Sequence, residues 1–554
     1  MKRLKKSLAL FISVIMLSSI FSACGSDNTE NISSSNSGST SAEALKNSTA
    51  QAGAFTKNEK GYPDLKGATF KVWQRNYRTD FCNDYGQFES IKELQKLFNM
   101  KLEFIHPPVG QESENFSIMM ASNKLPDLIF SGGVDEFYSG GLNAAYNDGI
   151  LYDYTKEINE TNTPNFLKAA NNNEYLKKII SDDKGRIVRL GAKIQGSEAS
   201  NFQFNGLLIR DDMLKTTGMA VPETIDEWHQ LLTTFKKNGI ETPYGASQGN
   251  ALWGFAYAWN LNPDAANGFT VDEKGKIVYG PAAPEYKDYI NTMHQWFSEG
   301  LINSDYMNTE DKDLQAMISN DRVGSTNMHL WNYQNGYYTT TEENNPAKSL
   351  VPAQFPVLKK GDPLPRIRSN SRNVDDYKYI TADAKDPMAC IYLLDALYLP
   401  EISTMLEMGM ENVGWKKDGD KAVQLIISND APVETKLKGA ATQWHMYEDT
   451  DADLMLAKKY FSGNVPNALN LWKKCSTDGY LNTRYLYLTD DESKTISKIK
   501  ADISTYVNEM SLKFITGTEP MGNFNAYTDS LKSMGVDDYI SVYQAAYDRY
   551  LARK

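Results

Sequence analysis

The chain has 554 residues, which at roughly 150 residues per domain indicates two or three domains. Hydrophobic residues make up 41% of it and charged residues 23%, so most of the chain can bury a core. Acidic residues outnumber basic ones by 70 to 58, for a formal net charge of −12. An acidic body without a Lys/Arg stripe argues against binding to nucleic acid or to an anionic lipid surface.

The first residues are typical of a secreted lipoprotein. A basic segment, residues 1–6, precedes an apolar run, residues 8–20, which is too short to span a membrane and long enough for the core of a signal peptide. The run ends in Phe21-Ser22-Ala23-Cys24, which resembles a bacterial lipobox with Phe where Leu is usual. We predict a signal peptide over residues 1–23 and acylation of Cys24; an ordinary signal peptide with a chance cysteine is the alternative.

Residues 24–58 are predicted to form a disordered tether. The stretch up to about Phe55 consists mainly of Ser, Asn, Gly, Thr and Ala with almost no large apolar side chain. Such a composition cannot offset the entropy lost on ordering. Two acyl chains on Cys24 would hold the protein durably in a membrane, and the tether would leave the folded body free outside it.

The next section predicts alternating strands and helices. Strands are expected over 69–73, 101–105 and 127–130, with helices around 88–98 and 116–120 between them. This order implies a parallel sheet flanked by helices, in which ligands bind off the carboxyl ends of the strands. The loops expected to face a cleft are those containing Trp73 to Arg75, His106 and Ser131 to Gly133.

A second α/β section follows Gly206. A strand is expected over 207–209, and Thr224 and Glu227 form a capping box that opens an amphipathic helix. Residues 271–279 predict a β-hairpin. The carboxyl-terminal third is predicted to be helical, with one long helix ending at Gly517 and shorter helices around 524–534 and 538–550.

No metal or cofactor site is predicted. The five His residues are scattered without an HExxH or H-x-H pair, and the four Cys residues show no CxxC spacing. Apart from Cys24, the cysteines are interpreted as buried thiols. The sequence also contains neither a GxxxxGK[ST] loop nor a GxGxxG motif after a strand.

Catalytic motifs give little support to an enzyme. Residues 245–249 match GxSxG, but a nucleophile elbow needs a buried strand before the Ser and a helix directly after it. The approach to Ser247 is polar and contains Pro243, so we interpret this motif as a turn with a cleft-facing polar loop. Acids such as Asp135, Asp212 and Glu411 lie in no recognisable glycosidase motif, and no catalytic residue is predicted.

Aromatic and amide side chains concentrate in three predicted loops, residues 201–205, 250–260 and 327–333. An aromatic plane packs on the apolar face of a pyranose, while amides and charged groups satisfy its hydroxyls. Burial in a core is the alternative for any single ring. Trp331, flanked by His and Asn rather than by aliphatic residues, is the best individual candidate for a sugar-stacking residue.

Several motifs together resemble a known family. Cys24 and the tether, the segment 207–228 and the carboxyl-terminal segment 513–550 are similar to extracellular solute-binding proteins of family 1. Residues 409–415 are similar too, although the family branch usually has Gly in place of Asn412. These proteins are the lipoprotein receptors of carbohydrate ABC importers, here of the large oligosaccharide-type branch of Firmicutes.

The resemblance implies an α/β fold like that of type II periplasmic binding proteins, with two α/β lobes joined by a hinge and a ligand cleft between them. It places the first lobe at residues 59–191 with a return segment at 368–430, and the second lobe at 192–367. The remaining helical segment, residues 431–554, is expected to be shared by both lobes.

The resemblance further implies a function without turnover. The protein would be a monomeric, lipid-anchored receptor on the extracellular face of the cell membrane that captures an oligosaccharide and delivers it to ABC permease subunits. Similarity to maltose-type receptors over residues 316–331 strengthens the assignment of Trp331. The candidate ligand-binding residues are Trp73, Arg75, Ser131, Gly132, Gln203, Asn205, Arg210, Asn250, Trp253, Trp331 and Trp415.

Other readings stay open at this point. Arg75, Arg78 and Arg210 could pair with carboxylates of a peptide, of another polar solute or of a uronic-acid oligosaccharide. A secreted polysaccharide-active or ester hydrolase, or a lyase, is the alternative in a different class. Presentation of a ligand to a sensor kinase would leave no trace in the sequence.

Overall fold

Strands and helices were assigned on a computed structural model, which describes residues 56–122, 124–130, 133–138, 140–171, 178–190, 194–195, 203–248, 252–367, 377–419, 421–425, 427, 430–442, 447–448, 462–475, 479–481 and 483–553. The strands are β1 (Ala68–Trp73), β2 (Met100–Ile105), β3 (Leu128–Ile129), β4 (Ile194–Gln195), β5 (Asn205–Arg210), β6 (Thr242–Gly245), β7 (Phe269–Val271), β8 (Ile277–Tyr279), β9 (Val323–His329), β10 (Leu350–Pro352), β11 (Tyr379–Ile380), β12 (Trp415–Asp418), β13 (Lys421–Gln424) and β14 (Tyr447–Glu448).

A π-helical segment, Tyr333–Glu342, follows strand β9 and the short helix α11. The helices are α1 (Glu89–Leu97), α2 (Glu112–Ala121), α3 (Gly133–Phe137), α4 (Gly141–Asn147), α5 (Pro164–Asn171), α6 (Asp211–Thr217), α7 (Ile225–Lys237), α8 (Trp253–Ala256), α9 (Tyr286–Ser298), α10 (Asp311–Ser319), α11 (Leu330–Asn332), α12 (Pro387–Ala396), α13 (Pro400–Met408), α14 (Val433–Gly439), α15 (Val465–Trp472), α16 (Asp490–Thr516), α17 (Phe524–Ser533) and α18 (Val536–Ala552).

The first sheet has the strand order β11-β3-β1-β2. Strands β2 and β3 both pair with β1 in parallel, and β11 adds an antiparallel edge. Parallel neighbours need a crossover connection, and α1 and α2 supply it. The β-α-β-α-β order predicted from the sequence is therefore confirmed.

The second sheet is mixed, with the strand order β10-β5-β9-β6. Strand β5 runs antiparallel to β9, and β6 runs parallel to β9. The approach to Ser247, interpreted from its polarity and from Pro243 as unlike a buried strand, contains the buried strand β6, whereas the turn with a cleft-facing polar loop stays a prediction. Pro243 is tolerated there because β6 lies at the edge of the sheet, where a missing N–H breaks no central ladder.

Features set by short-range chemistry agree with the sequence. The Thr224 hydroxyl accepts a hydrogen bond from the Glu227 backbone N–H at 3.1 Å, and the Glu227 carboxylate accepts one from the Thr224 backbone N–H at 3.2 Å, so the capping box of α7 is confirmed. Helix α16 ends at Gly517, whose φ of 75° is left-handed. Strands β7 and β8 form the predicted antiparallel hairpin.

Buried apolar side chains form two separate cores. One core gathers the first sheet, its helices and α12 to α13, and the other gathers the second sheet together with α15 to α18. Along the chain the first core stops at Leu190 and the second begins at Phe204; the second is interrupted after Ile367, where the first resumes at Tyr377, and the second resumes in the carboxyl-terminal helices. We call the two halves lobe 1 and lobe 2. The lobe boundaries given above stay a prediction.

The described part of the chain was expected to contain no membrane-spanning segment and only buried thiols. No single helix among these residues is both long and apolar enough to cross a bilayer, although the bent pair α12 and α13 would pass on length and composition together. Most side chains of α12 lie in the core of lobe 1. Cys82, Cys390 and Cys475 are free and buried, as expected.

Candidate functional site

Strand directions in lobe 2 bring several sequence-predicted residues to one edge of the second sheet. Because β5 and β9 are antiparallel, Asn205 at the start of β5 pairs with His329 at the end of β9. Because β6 and β9 are parallel, the loop after β6 leaves from the same edge. The carboxyl end of parallel strands is where α/β sheets bind ligands. Gln203, Asn205 and Trp331 therefore lie together, in a group that we call the lobe-2 edge.

Three aromatic rings stack at the lobe-2 edge. The ring of Phe204 lies 5.5 Å from that of His329 and 6.1 Å from that of Trp331, with interplanar angles of 15° and 25°. The backbone N–H of Leu330 donates to the Phe204 carbonyl at 2.7 Å, which fixes the two chain segments against each other. Trp331 is half-buried, so part of its ring is accessible.

Gln203 brings an unsatisfied polar atom to this edge. Its side chain is only 4% exposed, and its Oε1 accepts no hydrogen bond from the part of the chain that the structure describes. A buried acceptor without a partner costs about 1–3 kcal/mol, so this atom favours any group that can donate to it. Asn205, two residues further on, is half-buried.

His329 is held as a neutral imidazole. Its Nδ1 accepts a hydrogen bond from the Trp331 backbone N–H at 3.2 Å and so caps the short helix α11. Burial lowers the pKa of His329 to about 4, and the nearby carboxylate of Asp311 opposes this only in part. With Nδ1 acting as the acceptor, the single proton of the ring resides on Nε2.

The GxSxG segment contributes polar groups to the same region without forming a catalytic triad. Ser247 Oγ donates to Asp311 Oδ1 at 2.6 Å, and Asn332 Nδ2 donates to Asp311 Oδ2 at 3.1 Å. Asn303 holds the backbone just before Ser247: its Oδ1 accepts from the Ala246 N–H at 2.8 Å, and its Nδ2 donates to the Ala246 carbonyl at 3.0 Å. Ser247 therefore donates to a carboxylate, and no His is among the described hydrogen-bond partners of Ser247.

The edge of the first sheet differs from expectation at Trp73. This side chain is fully buried, meets Phe116 and Phe137 edge-on at 5.6 and 6.4 Å, and donates from Nε1 to Asn115 Oδ1 at 3.0 Å. The prediction that it faces a cleft is wrong, because the last residue of β1 points into the lobe-1 core. Arg75 lies just beyond, half-buried, with its guanidinium carbon 4.6 Å from the Phe137 ring centroid.

His106 is committed to the scaffold of lobe 1. Its Nδ1 lies 2.8 Å from the Gln74 carbonyl oxygen, which can only accept, so Nδ1 carries the proton. Its Nε2 accepts from the Tyr85 backbone N–H at 3.1 Å. The ring also stacks on Phe104 at 5.5 Å. With both nitrogens used, His106 ties three loop segments together.

Arg210 lies away from the lobe-2 edge. It lies at the far end of β5, five residues or about 17 Å along the strand from Asn205. The side chain is 1% exposed and pairs with Asp212 and Asp321 at 2.6 and 2.8 Å. Burial lowers the pKa of its guanidinium, and the hydrogen bonds that it donates to these two carboxylates more than offset this, so the pKa is raised. Its predicted role in ligand binding is therefore wrong.

The remaining candidates fall into two groups. Trp253 opens α8 and is half-buried, and Trp415, in the β12–β13 hairpin, donates from Nε1 to the Gly409 carbonyl at 3.1 Å and packs against the lobe-2 core. Neither is tied by a described contact to the lobe-2 edge. Cys24, Ser131, Gly132 and Asn250 lie outside the described residues.

Sequence reasoning did not single out Phe204, His329 or Asp311 as site residues. Phe204 and His329 lay inside clusters that had been noted, but only the β5–β9 register places one on the other. Asp311 precedes β9 by more than ten residues and carries no motif. Among the described residues no group of three His, Cys, Asp or Glu side chains could hold a metal ion.

This two-lobed arrangement matches a known family. The model described as bacterial extracellular solute-binding protein matches residues 87–401. The chain belongs to this family. The resemblance stated from the motifs is thereby confirmed, and the protein is a binding protein of the extracellular side rather than an enzyme.

Curated relatives align over most of the chain. A fructooligosaccharide ABC transporter substrate-binding protein, FusA of Streptococcus pneumoniae, is 22% identical over 90% of this chain and 95% of its own length. The polygalacturonan/rhamnogalacturonan-binding protein YtcQ of Bacillus subtilis is 20% identical over 83% of this chain and 88% of its own.

Solved structures agree on the fold. Alginate-binding protein AlgQ2, in a crystal structure without calcium ion, superposes with a TM-score of 0.69 at 20% identity, covering 87% of this chain and 98% of that one. FusA of S. pneumoniae in complex with kestose gives a TM-score of 0.67 at 18% identity, covering 88% and 100%. The fold is that of the type II periplasmic binding proteins, with two α/β lobes.

Proposed function

We propose that this solute-binding protein captures an oligosaccharide outside the cell and delivers it unchanged to the membrane subunits of an ABC importer. The names of FusA and YtcQ, a fructooligosaccharide-binding and a polygalacturonan-binding protein, support a carbohydrate ligand. The observation that carries the proposal is the stack of Phe204, His329 and Trp331 beside Gln203 at the lobe-2 edge.

Ring faces and polar atoms at this edge complement the two surfaces of a sugar. The accessible part of Trp331 would pack on the apolar C–H face of a pyranose or furanose ring. The side chains of Gln203, Asn205 and Asn332 offer amide donors and acceptors for hydroxyl groups around the ring. Arg75, half-buried on lobe 1, would supply donors from the opposite side of the ligand.

Closure of the two lobes on the ligand would convert binding into a signal for transport. A ligand that contacts both lobes gains contacts in the closed state that are missing in the open state, so it shifts the population toward closure. The closed form would dock on the permease as a monomer and release its sugar when the lobes separate.

The test is binding without turnover. The mature chain carrying Cys24→Ser, to keep it soluble, is titrated calorimetrically with fructo-, malto-, galacto-, manno- and xylo-oligosaccharides and with oligouronates. We expect saturable binding to at least one glycan, a change in tryptophan fluorescence, and recovery of the same glycan by mass spectrometry. Binding of none of them, or recovery of a cleaved product, would overturn the proposal.

The anchor is proposed from the leader alone. Acylation of Cys24 would hold the receptor at the outer face of the membrane, and residues 25–58 would let the folded part reach the permease. Cells fed an alkyne-tagged palmitate should label the native chain, and Cys24→Ser should remove the label and release the protein into the medium. Labelling that survives this substitution would refute the anchor at this position.

A further inference from the structure

Hydrogen-bonding capacity at the lobe-2 edge restricts the chemical class of the sugar unit that fits there. Gln203 Oε1 is a buried acceptor without a described partner, and the carboxylate of Asp311 is an acceptor that already holds Ser247 and Asn332. An ionised carboxylate on the ligand can donate to neither. A hydroxyl group can donate to both.

His329 supplies the matching donor. Its Nδ1 is occupied by the Trp331 backbone N–H, so the Nε2–H of the neutral ring is the proton that a ligand oxygen can receive. No acceptor for this N–H occurs among the described hydrogen bonds of His329. The ring itself is clamped by Phe204 at 5.5 Å, so the direction of the donor is set before a ligand arrives.

No Lys or Arg side chain is a described hydrogen-bond partner of His329 or Asp311. The described hydrogen bonds of His329 and Asp311 run to a backbone amide, a serine and an asparagine, and none runs to Lys or Arg. Arg210, the cation of β5, is at the opposite end of the strand and neutralised by Asp212 and Asp321. A carboxylate bound at this edge would therefore lie beside the Asp311 carboxylate, with no lobe-2 cation among the described hydrogen bonds of Asp311 to offset the repulsion; the guanidinium of Arg75 lies on lobe 1.

The geometry points to the lobe-2 edge as a subsite for a neutral, hydroxyl-bearing sugar ring rather than a uronate, with His329 Nε2–H as its specificity-determining donor. This inference rests on the proposed function and narrows its ligand. Gln203 Oε1 and the Asp311 carboxylate are both acceptors, so a hydroxyl group can donate to them, whereas a ligand carboxylate would leave the first unpaired and be repelled by the second.

The first test compares matched neutral and charged glycans on the mature Cys24→Ser chain. Trigalacturonate and its trimethyl ester share linkage and ring stereochemistry and differ in charge, and the neutral oligosaccharides above extend the set. We expect tighter binding of neutral glycans than of any oligouronate, by at least about tenfold. Trigalacturonate or oligoalginate binding at least as tightly as every neutral glycan would overturn the inference and leave the proposed function standing; binding of no glycan would overturn both.

The second test separates the two nitrogens of His329. His329→Asn keeps an oxygen that can accept from the Trp331 N–H and cap α11, but it removes the donor at Nε2. His329→Gln reaches the Nε2 position with an amide N–H and gives up the cap. With the best neutral glycan, we expect His329→Asn to lose about tenfold in affinity, and His329→Gln to stay within about threefold of the native chain.

Equal losses in both variants, or no loss in either, would show that His329 acts only through the fold. A pH series gives an independent readout. Because burial lowers the pKa of His329 to about 4 against the partial opposition of Asp311, the affinity should be flat from pH 8 to about pH 5.5 and fall toward pH 4. Protonation there would place a proton on Nδ1 against the Trp331 N–H. A fall centred near pH 6.5 would contradict the neutral donor.

Discussion

Each lobe has a histidine at the carboxyl end of a strand, and the two histidines use their ring nitrogens differently. His106 follows β2 and uses both nitrogens inside lobe 1, on the Gln74 carbonyl and the Tyr85 amide. His329 ends β9 and uses one nitrogen, on the Trp331 amide. A histidine at the carboxyl end of a strand is therefore a ligand candidate only when the backbone around it leaves a nitrogen unused.

The same contrast separates two tryptophans. Trp73 ends β1 with its indole N–H bonded to Asn115 and its faces enclosed by lobe-1 aromatics. Trp331 lies two residues after the end of β9, is half-buried, and stacks on the ring of Phe204. The comparison predicts that Trp73 serves folding and that Trp331 serves binding, and the two predictions can be tested separately.

The largest effect is expected from Trp73→Ala. Removing a fully buried indole and leaving a cavity beside Phe116 should lower the free energy of unfolding by about 3–5 kcal/mol, measured by urea denaturation. Trp73→Phe, which keeps a ring, should cost less. If Trp73→Ala leaves the unfolding free energy unchanged but abolishes glycan binding, Trp73 is a ligand residue and the comparison fails.

A smaller effect, on affinity, is expected from Trp331→Ala. Loss of a central aromatic contact in a binding site costs about 2 kcal/mol, which corresponds to roughly a 30-fold weaker dissociation constant by calorimetry. Trp331→Phe is the matched control and should keep most of the affinity, because it retains a planar ring next to Phe204. If Trp331→Ala leaves the affinity unchanged, the stack of Phe204, His329 and Trp331 does not contribute to glycan binding.

Sequence alone predicted the parts of this fold that depend on short-range chemistry. The capping box of Thr224 and Glu227 and the left-handed Gly517 each involve residues within one helical turn, so the pattern and the structure coincide. The parallel order of the first sheet also followed, since regular alternation of strands and helices leaves few other connections.

The site itself depended on long-range geometry that a single sequence does not carry. Arg210 and Asn205 lie on the same strand, β5. Only the antiparallel register with β9 shows that Asn205 lies at the lobe-2 edge and Arg210 at the opposite end of the strand. Trp73 was predicted to face a cleft because its burial depends on Phe116 and Phe137, which lie on helices distant in sequence. β6 was missed because its Pro is acceptable only at a sheet edge.

The smallest predicted effect contrasts carboxylates of the two lobes. Asp311 in lobe 2 is exposed, whereas Asp395 in lobe 1 is 4% exposed and accepts from the Phe166 N–H and from Asn165 Nδ2, both at 2.8 Å, which caps the start of α5. Burial raises the pKa of Asp395 from 3.8 to about 6 despite these hydrogen bonds. A raised pKa means that the folded state binds the proton more tightly than the unfolded state, so this contribution to stability is complete below about pH 3.8 and is lost as the pH rises through 6.

Comparison with Asp395→Asn isolates that contribution, because general charge repulsion in an acidic protein changes equally in both chains. The unfolding free energy of the native chain, measured relative to the variant by urea denaturation, should increase by about 1 kcal/mol between pH 8 and pH 5. The variant itself lacks a titrating group at this position, so any difference that varies with pH comes from Asp395. A difference that stays constant, or that decreases on acidification, would mean that the hydrogen bonds from Phe166 and Asn165 hold the carboxylate ionised and outweigh its burial.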